Sequence, residues 1–265
     1  MTFREPQRPW DAVPQEDLDA VAHIDPIVPT SKGIDTAWLK KVTRNNYAAI
    51  HALDRAVGEI LDELDRLGLA ENTIVMYVGD HGMLIGHHGY FGRGAVGTIA
   101  GDEVVGYEGV ANLYEEAIKI PMIVRWPGQV EAQSVIDAPV SNVDVFPTIL
   151  NMLDIEVPKG IAPQGKDLTQ LLIGDSDDYS KPVFAQYNMR NFGISHLRMV
   201  RFEDWKLVKR FGQGAPSEQV DQLFNVVEDP KEENNLIADP MQQKRRKNLE
   251  AMIHDWQVKI NDPVL

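Results

Sequence analysis

Residues 72–82 constrain this chain more than any other stretch: Thr73 to Val78 is a short, apolar, β-branched run that stops at Gly79-Asp80-His81-Gly82. Such a run reads as a strand buried on both faces. A long helical pattern precedes it, from Asp35 to Leu67. Its apolar stripe is Tyr47, Ile50, Leu53, Val57, Ile60, Leu61 and Leu64, and Gly68 is placed to end it. A helix that feeds a strand through a short loop is αβ architecture. In an open α/β sheet the ligand crevice lies beyond the carboxyl ends of the strands. A carboxylate and an imidazole there, between two glycines that let the backbone turn sharply, suit a metal site or a general acid/base site. The alternative is a surface Asp-His turn leaving a strand.

Length and charge narrow the function classes. The 265 residues suffice for one large domain, or one medium and one small. A formal net charge of -14 argues against nucleic acid and against anionic membranes as partners. An anionic substrate would have to be drawn in by a local field from a metal, Arg or Lys. The chain has no cysteine, which excludes disulfides and zinc-thiolate sites. The sequence shows neither a signal-peptide pattern at Met1-Thr2-Phe3-Arg4 nor an apolar run of membrane-spanning length. It is expected to be soluble, in a compartment that the sequence leaves open.

The chain divides by pattern. Residues 1–33 are rich in Pro and Asp and read as an irregular loop. On the helix, Asp54 and Arg55 read as solvated. Residues 94–112 hold Gly94, Gly97, Gly101, Gly106 and Gly109 and read as a flexible loop, either a lid or a surface excursion. Ile118 to Trp126 reads as a second buried strand, and Val143 to Leu153 as a helix. From Lys181 the pattern changes to short strands, with Glu203-Asp204 as a hairpin tip. Pro240 then opens a final helix with Leu249, Met252, Ile253 and Trp256 as its stripe.

Several of these segments together carry a likeness. After Gly79-Asp80-His81-Gly82 come Gly86-His87-His88-Gly89-Tyr90-Phe91-Gly92-Arg93, Leu113-Tyr114-Glu115-Glu116, and Ile120-Pro121 to Trp126-Pro127-Gly128. Then follow Asp144 with Pro147-Thr148, Gly165 to Leu168, Arg198 to Lys206-Leu207, and Leu223-Phe224-Asn225 to Asn235-Leu236. In order and spacing this resembles the sulfatases of the alkaline-phosphatase superfamily. The resemblance implies an α/β fold: part of an alkaline-phosphatase-like mixed sheet with flanking helices over residues 1–175, and a small antiparallel sheet packed by a helix over 176–265.

It also implies site residues. Asp80 and His81 stand where the family places its second pair of metal ligands. The family pattern favours calcium, while the imidazole also suits zinc or manganese and the carboxylate magnesium. Arg93 stands where relatives carry a sulfate-gripping lysine, and its planar fork still suits an anion. Arg93 and His88 are therefore the candidate catalytic residues, with Arg93 also binding substrate; His87 stands where an acid is usual. Tyr114-Glu115-Glu116 is expected to be a structural anchor, and His196 and His254 to be packed. Arg125 and Trp126 are expected to end a strand on the same side as Asp80. Relatives join the basic residue to Tyr-Glu-Glu by only a few residues, so residues 94–112 look inserted.

One part of the pattern is missing. Sulfatases use a Cys or Ser, oxidised to formylglycine, in Cys/Ser-x-Pro/Ala-x-Arg, together with an N-terminal Asp-Asp. This chain has no Cys, and its only Ser-x-Pro, Ser180-Lys181-Pro182, is followed by Val183 and Phe184 rather than the required Arg. The expectation is a C-terminal part of a sulfatase that contributes half a metal site and needs a missing N-terminal segment or a partner chain for its nucleophile. A phosphoester hydrolase of the same superfamily and a non-catalytic, anion-binding remnant are the alternatives.

Overall fold

The computed structural model describes the chain except residues 5, 11, 176–180, 191–193 and 212–219; Ser180 lies outside the described residues. By contacts the chain forms two units. The first comprises residues 1–73, 84–92 and 97–106, the second residues 74–83, 93–96 and 107–265.

The first unit is built on two helices, α1 (Gln15–Val21) and α2 (Thr36–Arg66). The Asp35 carboxylate caps α2, accepting from the Ala37 and Trp38 amides at 2.8 and 3.1 Å. Gly68 sits just past its end with φ +68°, a conformation that suits glycine. The helix matches the expected span, but of the expected stripe only Leu53 is buried and Ile50 is exposed; its other buried residues are Leu39, Thr43, Ala48 and Ala49. Helix α1 corrects the reading of residues 1–33 as irregular. Its Asp17 is fully buried, accepts from Arg55 Nη2 at 2.9 Å and lies 2.7 Å from His51 Nδ1. Arg55 therefore joins the two helices rather than merely facing water. Its hydrogen bond holds the Asp17 carboxyl below the usual carboxylate range.

Strand β1 (Val75–Val78) is followed by β2 (Leu84–Ile85), β3 (Tyr90–Gly92), β4 (Ala95–Ala100) and β5 (Glu103–Ala111). The last four form one sheet in the order β2-β3-β4-β5. Residues 94–112 are thus a hairpin turning at Gly101-Asp102, not an unstructured loop. Gly101 has φ +64° in that turn, and its N–H and C=O bond to Gly33 O and Asp35 N at 2.7 and 2.8 Å.

In the second unit, α3 (Glu115–Ile118) leads into β6 (Met122–Arg125), which pairs antiparallel with β1 as a two-stranded sheet. Every residue of β1 is only half-buried, against the expected double burial, because one pairing strand covers so little of it. Next comes α4 (Val145–Met152), preceded by a helical turn at Asn142–Asp144, then α5 (Thr169–Leu172). The Asp144 carboxylate accepts from the Ser141 and Lys166 amides at 2.9 and 2.7 Å. A Cβ on Gly165 would lie 2.0 Å from Val143 O, so only glycine passes there.

Strands β7 (Val183–Met189), β8 (Ser195–Phe202), β9 (Trp205–Phe211) and β10 (Gln222–Asn225) make an antiparallel sheet in the order β10-β9-β8-β7. Helix α6 (Gln243–Lys259) packs Leu249 and Ile253 onto Val200, Leu207 and Leu223, and Trp256 stacks on Phe184 at 5.0 Å. This is the small C-terminal sheet and helix that the pattern predicts. The chain end is fastened to it by Asp262, fully buried against the equally buried Arg198, which donates through Nε and Nη2. Gln257 Nε2 adds a bond to the same carboxylate at 3.0 Å. The arginine holds the Asp262 carboxyl down at about 2.

The sign of the pH effect follows. A depressed carboxyl stabilises the fold above its unfolded value, and that contribution is lost as pH falls through the folded value. Asp262→Asn should cost about 3–5 kcal/mol at pH 7, because Arg198 is left as an uncompensated buried charge. In urea melts the gap from wild type should shrink between about pH 4 and pH 2; a gap that stays constant would show that the pair carries no such weight.

Candidate functional site

The turn after β1 is shaped by close approach rather than by unusual dihedrals. A Cβ on Gly79 would sit 3.1 Å from Pro121 Cδ, and one on Gly82 only 2.1 Å from Glu116 O. The amides of Gly79 and Gly82 donate to Pro121 O and Ala117 O at 3.1 and 3.0 Å. Neither glycine has a positive φ, which corrects the sharp-turn explanation. The glycines let the Asp80–His81 turn lie directly on α3 and the start of β6.

Between them, Asp80 and His81 project outward. The Asp80 side chain is 87% exposed, and its Oδ1 accepts from the His81 amide at 2.9 Å. His81 Nδ1 is 2.8 Å from Gly82 O. A carbonyl only accepts, so Nδ1 is the nitrogen that donates there, and Nε2 faces the Asp80 carboxylate. Nε2 lies 3.5 Å from Asp80 Oδ2, so an imidazole nitrogen and a carboxylate oxygen converge on one point. Backbone-oriented imidazoles of this kind are typical metal ligands. The donor set fits half of a divalent-cation site. Among the described residues no group of three His, Asp, Glu or Cys side chains comes together to complete one.

Arg93 is exposed, and its carbonyl accepts from the buried Asn112 side chain at 2.6 Å. It belongs with Asp80 and His81 to the second unit; His87 and His88 belong to the first. There the Gly86 turn, with φ +89°, presses on Leu39, whose Cδ2 would be 2.6 Å from an added Cβ. His88 itself has φ 55°. The first unit also holds a cleft of about 310 Å³ among Trp10, Trp38, Phe91, Arg8 and Lys41. Arg125 pairs with Val75, at the start of β1, so it and Trp126 lie at the end away from Asp80. They were expected on the same side; antiparallel pairing reverses them. His196 bonds Asn188 Oδ1 at 2.9 Å, while His254 is exposed rather than packed.

Tyr114-Glu115-Glu116 is the anchor the pattern predicts, and the structure supplies its partner. Lys206, on β9, has no exposed side-chain surface and lies 3.0 Å from Glu115 and 2.8 Å from the fully buried Glu232. Glu232 also accepts from the Glu115 amide at 2.7 Å, and Tyr114 Oη accepts from Gln222 at 2.9 Å. Burial pushes both carboxyls up. For Glu115 the Lys206 and Arg201 cations outweigh burial and hold it below the usual range, whereas Glu232 stays raised. Sequence reading placed Lys206 in the family pattern without giving it a role and passed over Glu232. The available signal was a lysine at an inward position of a strand whose neighbours Trp205, Leu207 and Val208 are all buried.

Comparison with known proteins now decides the family. The sulfatase family model matches residues 7–155, and a model for the C-terminal part of N-sulphoglucosamine sulphohydrolase matches residues 106–259. The chain belongs to the sulfatase family. It is 28% identical over 233 residues to an N-acetylglucosamine-6-O-sulfatase of Bacteroides thetaiotaomicron, covering 83% of this chain and 37% of that protein. It is 39% identical over 129 residues to the steryl-sulfatase of Rattus norvegicus, covering 48% of this chain and 21% of the relative. A solved structure in complex with its substrate D-glucosamine-2-N,6-O-disulfate superposes with a TM-score of 0.71 at 27% identity, covering 86% of this chain and 43% of that one. This sulfatase chain thus spans less than half the length of these relatives.

The buried cation gives a direct test of the anchor. Lys206→Met should cost about 3–5 kcal/mol, since two buried carboxylates lose their shared partner. Without the ammonium the already raised Glu232 carboxyl titrates further above its unfolded value, so the folded state keeps a proton that the unfolded chain releases. Stability should therefore fall as pH rises, making the loss larger at pH 8 than at pH 5 in denaturant titrations. An equal loss at both would refute the arrangement.

Proposed function

We propose that this chain is part of a divalent-metal-dependent hydrolase of sulfate esters, contributing Asp80 and His81 to the metal and Arg93 to the anionic group of the substrate. The observation that carries the reading is the convergence of Asp80 Oδ2 and His81 Nε2 just past a strand end, with His81 Nδ1 turned to the Gly82 carbonyl. A bound cation would offset charge on the non-bridging oxygens of the ester. Calcium is the ion the family pattern favours, with magnesium, manganese and zinc as its rivals. Arg93 would hold two of those oxygens through its planar fork. A guanidinium does not readily release a proton, so it serves as clamp rather than acid.

The nucleophile has to come from elsewhere, because the chain has no Cys and no Ser within the required pattern. We place it on a further polypeptide segment, in cis or in trans. Apolar surface in the second unit supports this: Ile123 on β6 is 63% exposed, and Val143, Phe146, Ile149 and Leu153 on and around α4 are also exposed. Surface of that kind marks an interaction face. The relative matched over most of this chain acts on N-acetylglucosamine 6-O-sulfate, so a sulfated amino sugar is the substrate class we favour.

A second reading, phosphoester hydrolysis, draws support from Arg93, whose fork suits phosphate as well as sulfate. Adding a segment that bears the nucleophile, then comparing an aryl sulfate with an aryl phosphate, separates the two. The proposal expects no turnover by the chain alone, sulfate cleavage after addition, and a loss of about 10²–10³-fold for Arg93→Ala. Preference for the phosphate would make the second reading the right one. For the metal, Mn²⁺ titrated into the chain alone should bind weakly, with Kd of about 10⁻⁴–10⁻³ M, the range of the weakest protein calcium sites. Asp80→Asn should abolish that binding; unchanged binding in the variant would remove the metal assignment.

A further inference from the structure

Residues 94–113 lie between Arg93 and Tyr114. The structure closes that gap at the base of the hairpin. Strand β4 leaves just after Gly94 and β5 returns at Ala111, and Asn112 ties the two stems together. Asn112 is 1% exposed, and its polar atoms point at the stems. Its amide donates to Gly94 O at 3.0 Å, Nδ2 donates to Arg93 O at 2.6 Å and to Gly94 O at 3.1 Å, and Oδ1 accepts from the Tyr114 amide at 3.1 Å.

The stems are held from other sides as well. A Cβ on Gly94 would lie 2.3 Å from Tyr187 Cε2, so the backbone rests on that ring. Arg210 Nη1 donates to Ala111 O at 2.9 Å. The carboxamide is the group that meets all three demands: a donor with two hydrogens towards two carbonyls, and an acceptor towards an amide. Aspartate would turn a carboxylate towards those carbonyls, and alanine would leave them unsatisfied in a buried place.

We propose that Asn112 is the positioning residue for Arg93. By clamping the Arg93–Gly94 backbone to Tyr114, and through Glu115 to Lys206, it sets where the guanidinium meets an anionic group. It also allows the β4–β5 hairpin to be accommodated without moving that group. Asn112 itself touches no substrate. The inference rests on Arg93 as the anion clamp, and the experiment separates the two claims.

Inorganic sulfate is titrated into the full chain while the Arg93 Nε–Hε signal is followed by ¹⁵N NMR, with thermal melts as the check of folding. Arg93→Ala should remove most of the affinity. Asn112→Ala should weaken sulfate binding by about tenfold or more, as sub-ångström misplacement of a clamp does, and should shift the free-state Arg93 signal while the melt stays cooperative. Gly94→Ala, which pushes the same backbone from the Tyr187 side, should do the same and decides the matter if Asn112→Ala does not fold. If Arg93→Ala binds sulfate as well as wild type, the anion clamp falls and the positioning role with it. If Arg93→Ala loses binding while the folded Asn112→Ala and Gly94→Ala variants keep wild-type affinity and an unmoved Arg93 signal, the clamp stands and the positioning role is overturned.

Discussion

The ammonium of Lys206 has no exposed surface and is paired with two carboxylates, Glu115 and Glu232. A cation in that position is tolerable only while both partners stay in place. That obligation fixes the Tyr114–Glu115 segment to the C-terminal sheet. Once α3 is fixed, the carbonyls of Glu116 and Ala117 set the path of Gly82, and Pro121 sets that of Gly79. Asp80 and His81 have one way to leave that path, outward and together. A buried charge in the small sheet therefore positions a pair of exposed metal-ligand candidates.

Much of this was legible in the sequence. The span of α2, its Asp35 start and its Gly68 end are local, as are the α6 stripe and the Glu203-Asp204 tip, and all stand as read, whereas the expected stripe of α2 is buried only at Leu53. The order of motifs revealed the family because each motif marks a contact: Gly82 against Glu116, Gly165 against Val143, Thr148 Oγ1 with the Leu168 amide at 3.0 Å. What was not legible depended on partners distant in sequence. The direction of β6 against β1 put Arg125 at the far end, and nothing within the strand encodes that direction. The role of the glycines beside Asp80 was visible as glycine but not as close approach. Residues 94–112 hid their strands behind glycines, whose weak β propensity masks Val96, Ile99, Val104 and Val105. Arg55 read as solvated because its partner, Asp17, lies in a stretch of Pro and Asp that conceals a helix.

The chemistry divides in the same way. This chain carries the outward-facing Asp80–His81 pair, which we propose as metal ligands, and Arg93, whose backbone is held by Asn112, on a frame stiffened by buried ion pairs, Arg198–Asp262 and Glu115–Lys206–Glu232. With a net charge of -14, the anionic ester we propose as substrate would have to be drawn in by a local field, against the charge of the whole. Low-cost positioning of those groups is what a rigid frame supplies to catalysis.

The central claim is that the C-terminal sheet holds the site-bearing segment, and native-state hydrogen exchange measures this most directly. The account predicts that the amides of Tyr114, Glu115 and Ala117 are protected to the same opening free energy as those of β8 and β9, and that Lys206→Met lowers both sets together. Exchange of the 114–117 amides at the rate of an open surface loop, with β8 and β9 still protected, would contradict it.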